Sequence, residues 1–312
     1  MPSYFGTRVE DVTGLADECR RARILRRSPG GRLLPTRRGR RYLETAVEEY
    51  YLERGLVESA ASPAFRNLCR ARQGLDVVQH GSLTRDQLVA LIRRTRALGP
   101  GRILDLGCGI GELGERVAAH AAGARLLGVD SAHSAILHAS LRGTPDAAFI
   151  HADMETYVSA APPGSADVVL SIDSLYWVDD LVSFLEGVLE VLSPGGCFLC
   201  ILSEFEDRRG GGGRTLPAED LEIGAALSAL EAERGDLRLE TEDFTGEERA
   251  LWLGSLALWE EWKDSFAAEG RAYLLRNIVR EAEYLETSMR RGRGARYLFS
   301  VYRGVEAPMS ER

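Results

Sequence analysis

The middle of the chain alternates short apolar runs with segments in which apolar residues recur every three or four positions. Short apolar runs predict strands, and the 3.6-residue period predicts helices. Between residues 102 and 202 the alternation therefore predicts a βαβ series. The run DVVLSI indicates burial on both faces, hence a parallel sheet covered by helices. The predicted strands cover residues 103–106, 126–129, 148–151, 168–172 and 197–202.

Helical patterns predominate on both sides of this series. Residues 1–98 predict a mainly helical region, for which we expect a role as lid and dimerisation element. The polar, glycine-rich stretch EFEDRRGGGGRTLP predicts a mobile loop after residue 202. Residues 99–312 are expected to form the sheet domain, with a helical insertion at about 245–291. After the loop we predict one helix near 218–233, one near 247–268 and one near 272–290, and strands near 237–244 and 296–302.

The composition is that of an ordinary globular protein, but the charge is uneven. Residues 1–100 carry net +8 and residues 101–312 net −16. Ten arginines lie in the segment from Arg20 to Arg41. The overlapping stretch ILRRSPGGRLLPTRRGRRYL has the turn, short strand and following helix of a winged-helix wing. This pattern is found in DNA-binding and dimerisation domains alike. Arginine fills nearly every basic position, since Lys263 is the only lysine. Because the acidic remainder would repel a polyanion, we expect no nucleic-acid partner.

The cysteines and the apolar runs bear on the location of the protein. The five cysteines are odd in number and scattered, and the first residues lack the layout of a signal peptide, so a cytoplasmic protein is expected. Cys197 and Cys200 form a CxxC, but the run CFLCIL predicts a strand in which they point to opposite faces. We therefore expect no metal site. No uncharged apolar run approaches 18 residues, so no membrane span is predicted.

The segment ILDLGCGIGELGERV places glycines between a predicted strand and a predicted helix. Glycines allow a tight turn that brings backbone N–H groups against a ligand at the start of a helix. Gly109, Gly111 and Gly114 also match GxGxxG, so a nicotinamide cofactor is an alternative. Asp105 argues against it, because a carboxylate before the glycines suits an ammonium group and repels a diphosphate. Asp130 ends the second strand, where a carboxylate can accept both hydroxyls of an adenosine ribose.

Five motifs share one order and spacing: DLGCGIG, GVD, ADM, SIDSLYW and LSPGG. Over about residues 100–203 they resemble the class I S-adenosylmethionine-dependent methyltransferases. The resemblance implies an α/β, Rossmann-like, seven-stranded and mostly parallel sheet whose last, antiparallel strand is RYLFSVY. It also implies S-adenosyl-L-methionine as cofactor and S-adenosyl-L-homocysteine as product.

The same resemblance assigns cofactor residues at the ends of the first four strands. They are Asp105, Gly107, Cys108, Gly109 and Gly111 for the methionine part of the cofactor, Asp130 and Ser131 for its ribose, Asp153 and Met154 for its adenine, and Ile172 with Asp173 for the far side of the cofactor. The segment LDVVQHGSL is similar to a short His-Gly segment that several small-molecule methyltransferases fold over the cofactor. This places Gln79 and His80 near the methyl group.

Methyl transfer to a protonated oxygen or nitrogen requires removal of a proton. The candidates for this role are His80, Asp173 and Tyr176. His80 has a suitable ordinary pKa, but it could instead cap the helix that begins beside Thr84. Asp173 could bind cofactor or cap a helix. Tyr176 and Trp177 follow the fourth strand at its carboxyl end, where pocket lining competes with simple packing.

Two late helices are expected to complete a lid over the site. The tryptophan-rich one presents a stripe that mainly faces the core. On the next, Asn277, Glu281 and Tyr284 share a polar face, either solvated surface or a wall of the substrate pocket. Such a lid would form an apolar pocket with few polar groups for a small molecule.

The sequence thus predicts a methyltransferase that modifies an oxygen or nitrogen of a small molecule in specialised metabolism, as a homodimer. One alternative is a DNA-binding regulator that senses S-adenosylmethionine. Another is an enzyme on the same scaffold that uses the cofactor without methylating.

Overall fold

A computed structural model describes residues 55–205, 216–253, 257–291 and 294–304, together with two short strands at 25–27 and 33–35. The chain divides into two compact units, Met1–Arg54 and Gly55–Arg312. The first unit contains strands β1 (Leu25–Arg27) and β2 (Leu33–Pro35), which pair antiparallel with Leu25 opposite Pro35. The arginine-rich stretch around this pair, and the helix expected after it, lie mostly outside the described residues.

The second unit is built on a seven-stranded sheet. Its order is β5-β4-β3-β6-β7-β9-β8, in which β3 to β7 run parallel and β9 runs antiparallel to both neighbours. This confirms the predicted Rossmann-like fold and the place of RYLFSVY within the last strand. The strands are β3 (Arg102–Leu106), β4 (Arg125–Asp130), β5 (Ala147–His151), β6 (Ala166–Ile172), β7 (Leu192–Phe205), β8 (Leu237–Asp243) and β9 (Gly294–Arg303).

Eleven helices belong to the described part of this unit. They are α1 (Leu56–Ala60), α2 (Pro63–Gln73), α3 (Arg85–Leu98), α4 (Glu112–Ala118), α5 (His133–Leu141), α6 (Met154–Ala160), α7 (Leu181–Val191), α8 (Glu222–Glu233), α9 (Thr245–Trp252), α10 (Leu258–Ala268) and α11 (Ala272–Arg290). After residue 217 the predicted strands and the helices near 218–233 and 272–290 are confirmed. The single helix predicted near 247–268 is wrong, because α9 ends at Trp252, where Leu253 takes an extended conformation, and α10 begins at Leu258. Most of the predicted glycine-rich loop, residues 206–215, lies outside the described residues.

The sheet is buried on both faces, as the apolar run of β6 predicts. Val168 packs in one hydrophobic cluster and Val169 in the other, so the two clusters lie on opposite faces. Helices α6, α7 and α8 contribute to one cluster, and α3 and α4 to the other. Cys197 and Cys200 also divide between the clusters, which confirms that this CxxC spans a buried strand.

Helices α1 to α3 belong to the same compact unit as the sheet. Helix α3 buries Leu88 and Leu91 against the sheet, and its Thr84 and Gln87 form a reciprocal cap. The division at residue 98 and the lid and dimerisation roles expected for residues 1–98 remain proposals. In the described part of the chain, no helix is long and apolar enough to cross a membrane.

Candidate active site

The glycine loop occupies residues 107–111, between β3 and α4. Gly107, Gly109 and Gly111 have φ angles of 73°, 55° and 80°, a backbone region that disfavours side chains. The N–H groups of Gly107 and Cys108 donate to Val129 O at 2.9 and 3.1 Å. These bonds hold the loop against the carboxyl end of β4, at the sheet edge where open α/β sheets bind ligands.

Asp130 fixes the loop from the end of β4. One carboxylate oxygen accepts the Gly109 N–H at 2.7 Å, and the other accepts the Ala132 N–H at 2.8 Å. Each oxygen of the Asp130 carboxylate thus binds a backbone N–H group beside the end of β4. The neighbouring Ser131 is exposed, and its carbonyl oxygen lies 2.9 Å from His151 Nε2.

Asp105 lies beneath the loop, 2% exposed. Among the described residues its carboxylate makes no hydrogen bond or ion pair. Burial, with a contribution from the Asp130 charge, raises the pKa of Asp105 to about 7. A Cβ at Gly114 would lie 2.3 Å from Asp105 Oδ2, so glycine is required for this packing. An ionised carboxylate here is costly unless a cation approaches it, which fits an ammonium-bearing ligand.

The other implied cofactor residues lie along the same edge. Asp153 caps α6 by accepting the Thr156 N–H at 2.8 Å and is exposed. Met154, the first residue of α6, and Ile172, the last residue of β6, are both buried. Cys108 is only partly covered in the loop, where desolvation raises the pKa of its thiol. The edge therefore places apolar and carboxylate groups together, as the motifs predict.

Asp173 binds a partner that the sequence did not indicate, Arg296 of β9. The Arg296 guanidinium donates to both Asp173 oxygens, at 2.6 and 3.0 Å, and the Ser82 N–H donates to one of them at 3.0 Å. Asp173 has a φ of 51°, and a Cβ at Gly81 would lie 2.3 Å from its Oδ2. Asp173 thus holds the His-Gly segment onto the sheet edge, and Gly81 permits the close approach.

Arg296 is 0% exposed and lies at the centre of a larger polar network. It donates to Gln87 Oε1 at 3.0 Å and to Ser203 Oγ at 2.8 Å, and its Nε lies 3.6 Å from Glu248 Oε2. The other Glu248 oxygen accepts from Ser203 Oγ at 2.9 Å, and also from the Ser82 hydroxyl and the Trp252 indole. This network joins α3, β7, α9 and β9 to the His-Gly segment.

His80 points away from this network, towards α1 and α2. Its Nε2 lies 3.0 Å from Ser59 Oγ, and its ring stacks on Phe65 with centroids 5.2 Å apart. Burial lowers the pKa of His80 to about 4, which makes the ring neutral and weakly basic at neutral pH. Capping of α3 by His80 is wrong, because Thr84 caps that helix. Gln79 is buried, and its Nε2 donates to Leu83 O at 2.8 Å.

The aromatic candidates lie on the surface of the described structure. Tyr176 and Trp177 form a 3-10 turn after β6, 61% and 48% exposed, with ring centroids 5.7 Å apart. On α11, Asn277 is half-buried and Tyr284 is exposed. Placement as pocket-lining residues stays a prediction for these four side chains.

Helix α1 covers the glycine loop. The Leu56 side chain lies 3.9 Å from the position that a Cβ on Gly109 would take. Helix α2 is in turn tied to the late helices, because Glu269 accepts from Ser62 Oγ at 2.5 Å and from the Ala64 N–H at 2.8 Å. These two hydrogen bonds connect the early helices of this unit to the late ones.

Comparison with known proteins agrees with this geometry. Residues 103–196 match a family model described as "Methyltransferase domain". This segment is therefore similar in sequence to methyltransferase domains. A trans-aconitate 2-methyltransferase from Paracidovorax citrulli is 34% identical over 107 residues, and a ubiquinone biosynthesis O-methyltransferase from Albidiferax ferrireducens is 34% identical over 99 residues. The matched segments cover 34% and 30% of this chain, and only 40% and 38% of those relatives.

The fold likeness extends beyond the methyltransferase domain. A Haemonchus contortus phosphoethanolamine N-methyltransferase 2, solved with S-adenosyl-L-methionine, superposes with a TM-score of 0.63 at 19% identity. The superposition covers 88% of this chain and 62% of that one. The helices on both sides of the methyltransferase domain are therefore part of a shared architecture.

Proposed function

We propose that this protein is an S-adenosylmethionine-dependent methyltransferase that acts on a small-molecule acceptor. The observation that carries the proposal is the buried Asp105 carboxylate, which lacks a cationic partner among the described residues. It lies beneath a glycine loop that Asp130 holds against the sheet edge. Family match and residue geometry thus point to the same ligand, one with an ammonium group and an adenosine.

Each of three carboxylates would bind a different part of the cofactor. Asp105 would attract the ammonium group, Asp130 would accept the ribose hydroxyls, and Asp153 would accept the adenine amino group. The positive-φ glycines remove side chains from the loop, so a ligand can approach its backbone. When bound, the cofactor supplies a methyl group on a positively charged sulfur.

Transfer requires an in-line approach of the acceptor and exclusion of water. Helix α1, through Leu56, lies over the loop and would exclude water there. The His-Gly segment, fixed by Asp173 and Arg296, would position the acceptor next to the same edge. This assignment makes Asp173 a positioning residue, because Arg296 and Ser82 already engage its carboxylate.

Calorimetry with S-adenosylmethionine, S-adenosylhomocysteine and NAD tests the proposal. We expect the first two to bind and NAD not to bind, since Asp105 beneath the glycine loop would repel a diphosphate. Asp105→Asn should weaken S-adenosylhomocysteine binding, whereas Asp146→Asn, in the turn before β5, should leave it unchanged. Binding of NAD in preference to the other two would reject the proposal.

The finer parts of this function have separate tests. We propose a homodimer in the cytoplasm, with an acceptor from specialised metabolism, and sedimentation would report the dimer. Tight, steeply salt-dependent DNA binding would favour the regulator that senses S-adenosylmethionine. Consumption of cofactor without a methylated product would favour a different reaction on the same scaffold.

A further inference from the structure

Helix α1 lies over the glycine loop with little apolar packing of its own. It spans five residues, and Ser59 is the one residue of the helix that is buried. Leu56, whose side chain lies 3.9 Å from the position of a Cβ on Gly109, is only half-buried. Among the described residues, no side chain caps the N-terminus of the helix. A short, uncapped helix with few buried apolar groups has a low free energy of local opening.

Helix α2, which begins two residues after the end of α1, is held much more firmly. Ser62 caps its N-terminus, and Gly74 ends it in the left-handed conformation. Five of its eleven residues are buried. Glu269 also accepts two hydrogen bonds from its first turn, at 2.5 and 2.8 Å. Ala61 and Ser62 therefore join a weakly held helix to a firmly held one, so α1 can move while α2 stays in place.

The His80 side chain of the His-Gly segment is bonded to α1. Its Nε2 lies 3.0 Å from the hydroxyl of Ser59, the buried residue of the helix. The backbone of Gly55, immediately before the helix, is a second hydrogen-bond partner of the ring. The ring also stacks on Phe65 of α2, with centroids 5.2 Å apart, and this contact orients it. His80 therefore connects the covering helix to the rest of the unit.

The backbone on both sides of His80 is anchored at the sheet edge. The Val78 N–H donates to Glu112 Oε2 at 2.9 Å, and Glu112 is the first residue of α4, directly after the glycine loop. On the other side, the Ser82 N–H donates to Asp173 Oδ2 at 3.0 Å. Because the segment is fixed at both points, His80 is a stationary anchor and α1 is the part that can move.

These contacts place the glycine loop beneath a movable helix. A ligand bound on the loop would lie next to Leu56, so its entry and exit require α1 to move away. We propose, on the basis of the cofactor function above, that α1 is the gate for S-adenosylmethionine and S-adenosylhomocysteine, and that His80 is the positioning residue that holds this gate closed through Ser59. In this role His80 acts through α1 and sets the rate of cofactor exchange.

The gate predicts kinetics that differ from those of a direct cofactor contact. The bond between His80 and Ser59 stabilises the closed position of α1 whether or not a cofactor is bound. Its loss should therefore raise the open fraction of both forms by a similar factor, so association and release should both accelerate. Because the two rates change together, the affinity should change little. Loss of a direct contact would instead accelerate release alone and weaken binding.

The release rate of S-adenosylhomocysteine measures the gate directly. The full chain is loaded with the radiolabelled compound, chased with an excess of the unlabelled compound and sampled by rapid filtration. His80→Ala removes both hydrogen bonds to α1 and should release the label about ten- to hundredfold faster than the wild type. Ser59→Ala removes one of them and should release it about three- to tenfold faster. Association rates, from filtration over a series of concentrations, should rise by similar factors.

Two control variants separate the gate from general effects on the fold. Val188→Ala leaves a cavity in the hydrophobic cluster to which α7 contributes, so it should lower the free energy of unfolding without changing release. His120→Ala removes an exposed histidine just after α4 and should change neither quantity. Urea unfolding of all four variants shows whether each one is folded.

Hydrogen exchange of the wild type gives a second measurement, which does not depend on any variant. The Ala61 N–H donates to Val57 O at 3.0 Å, so its exchange reports the opening of α1. The Arg66 N–H donates to Ser62 O at 3.1 Å and reports the opening of α2. We expect exchange at Ala61 to be at least about tenfold faster than at Arg66, and S-adenosylhomocysteine to slow it.

Unchanged release from a folded His80→Ala variant would overturn the inference. Faster release with an unchanged association rate would also overturn it, because that result indicates a direct contact with the cofactor. If the variants do not fold, exchange at Ala61 that is no faster than at Arg66 would overturn it in the wild type. Failure of the wild type to bind S-adenosylhomocysteine would instead reject the proposed function, so the two proposals fail in distinguishable ways.

Discussion

Removing the Asp173 carboxylate should destabilise the fold strongly. In Asp173→Ala the fully buried Arg296 loses two hydrogen bonds to a charged partner, and the Ser82 N–H loses its acceptor. Deleting one member of a buried ion pair typically costs about 3–5 kcal/mol, because the remaining charge stays uncompensated. Glu248, 3.6 Å from Arg296, offsets part of this loss, so we expect about 3 kcal/mol.

The assay is the free energy of unfolding from urea titration, followed by tryptophan fluorescence. Glu260→Ala is the control, because Glu260 pairs with Lys263 on the exposed surface of α10, where water and salt screen the interaction. The double variant Asp173→Ala/Arg296→Met should lose less stability than the sum of its single variants, since no unpaired charge remains. A loss below about 1 kcal/mol in Asp173→Ala would refute the role given to this pair.

Three further predictions follow from the same geometry. Gly81→Ala should cost about 1–3 kcal/mol of stability through overlap with Asp173, and equal urea midpoints for variant and wild type would contradict it. Asp130→Ala should cost about 1.5–3 kcal/mol of S-adenosylhomocysteine affinity in calorimetry, and unchanged affinity would contradict the ribose assignment. The lowered pKa of His80 means that folding stability is full above pH 6.5 and falls as the pH drops towards 4. His80→Asn should flatten that part of a stability profile, and an identical slope would show that other groups cause it.

The sequence predicted the sheet and the cofactor edge because their signals are local. Apolar runs such as that of β6 mark buried parallel strands, and the spacing of Gly107, Gly109 and Gly111 marks a turn that needs positive φ. Asp105 and Asp130 could be predicted as cofactor residues because each lies at the end of a predicted strand. The boundaries differ by a few residues, most clearly in β7, which extends beyond the apolar run on both sides.

The polar network around Arg296 could not be predicted in the same way, because its contacts join distant segments. Arg296 binds Asp173, 123 residues earlier, and nothing near either residue specifies the other. One signal was present: Arg296 is a charged residue within an otherwise apolar strand, and a buried charge requires a partner. Among the carboxylates of the chain, sequence alone could not identify which one that partner would be.

The structure also changes the order of the candidates for proton removal. Both Asp173 oxygens already accept hydrogen bonds from Arg296, and the low pKa of His80 makes it a weak base at neutral pH. If His80 takes the proton, the single-turnover rate should rise with pH around pH 4, where its imidazole becomes neutral. His80→Asn should remove that rise. A rise near pH 4 that persists in His80→Asn would show that another group takes the proton.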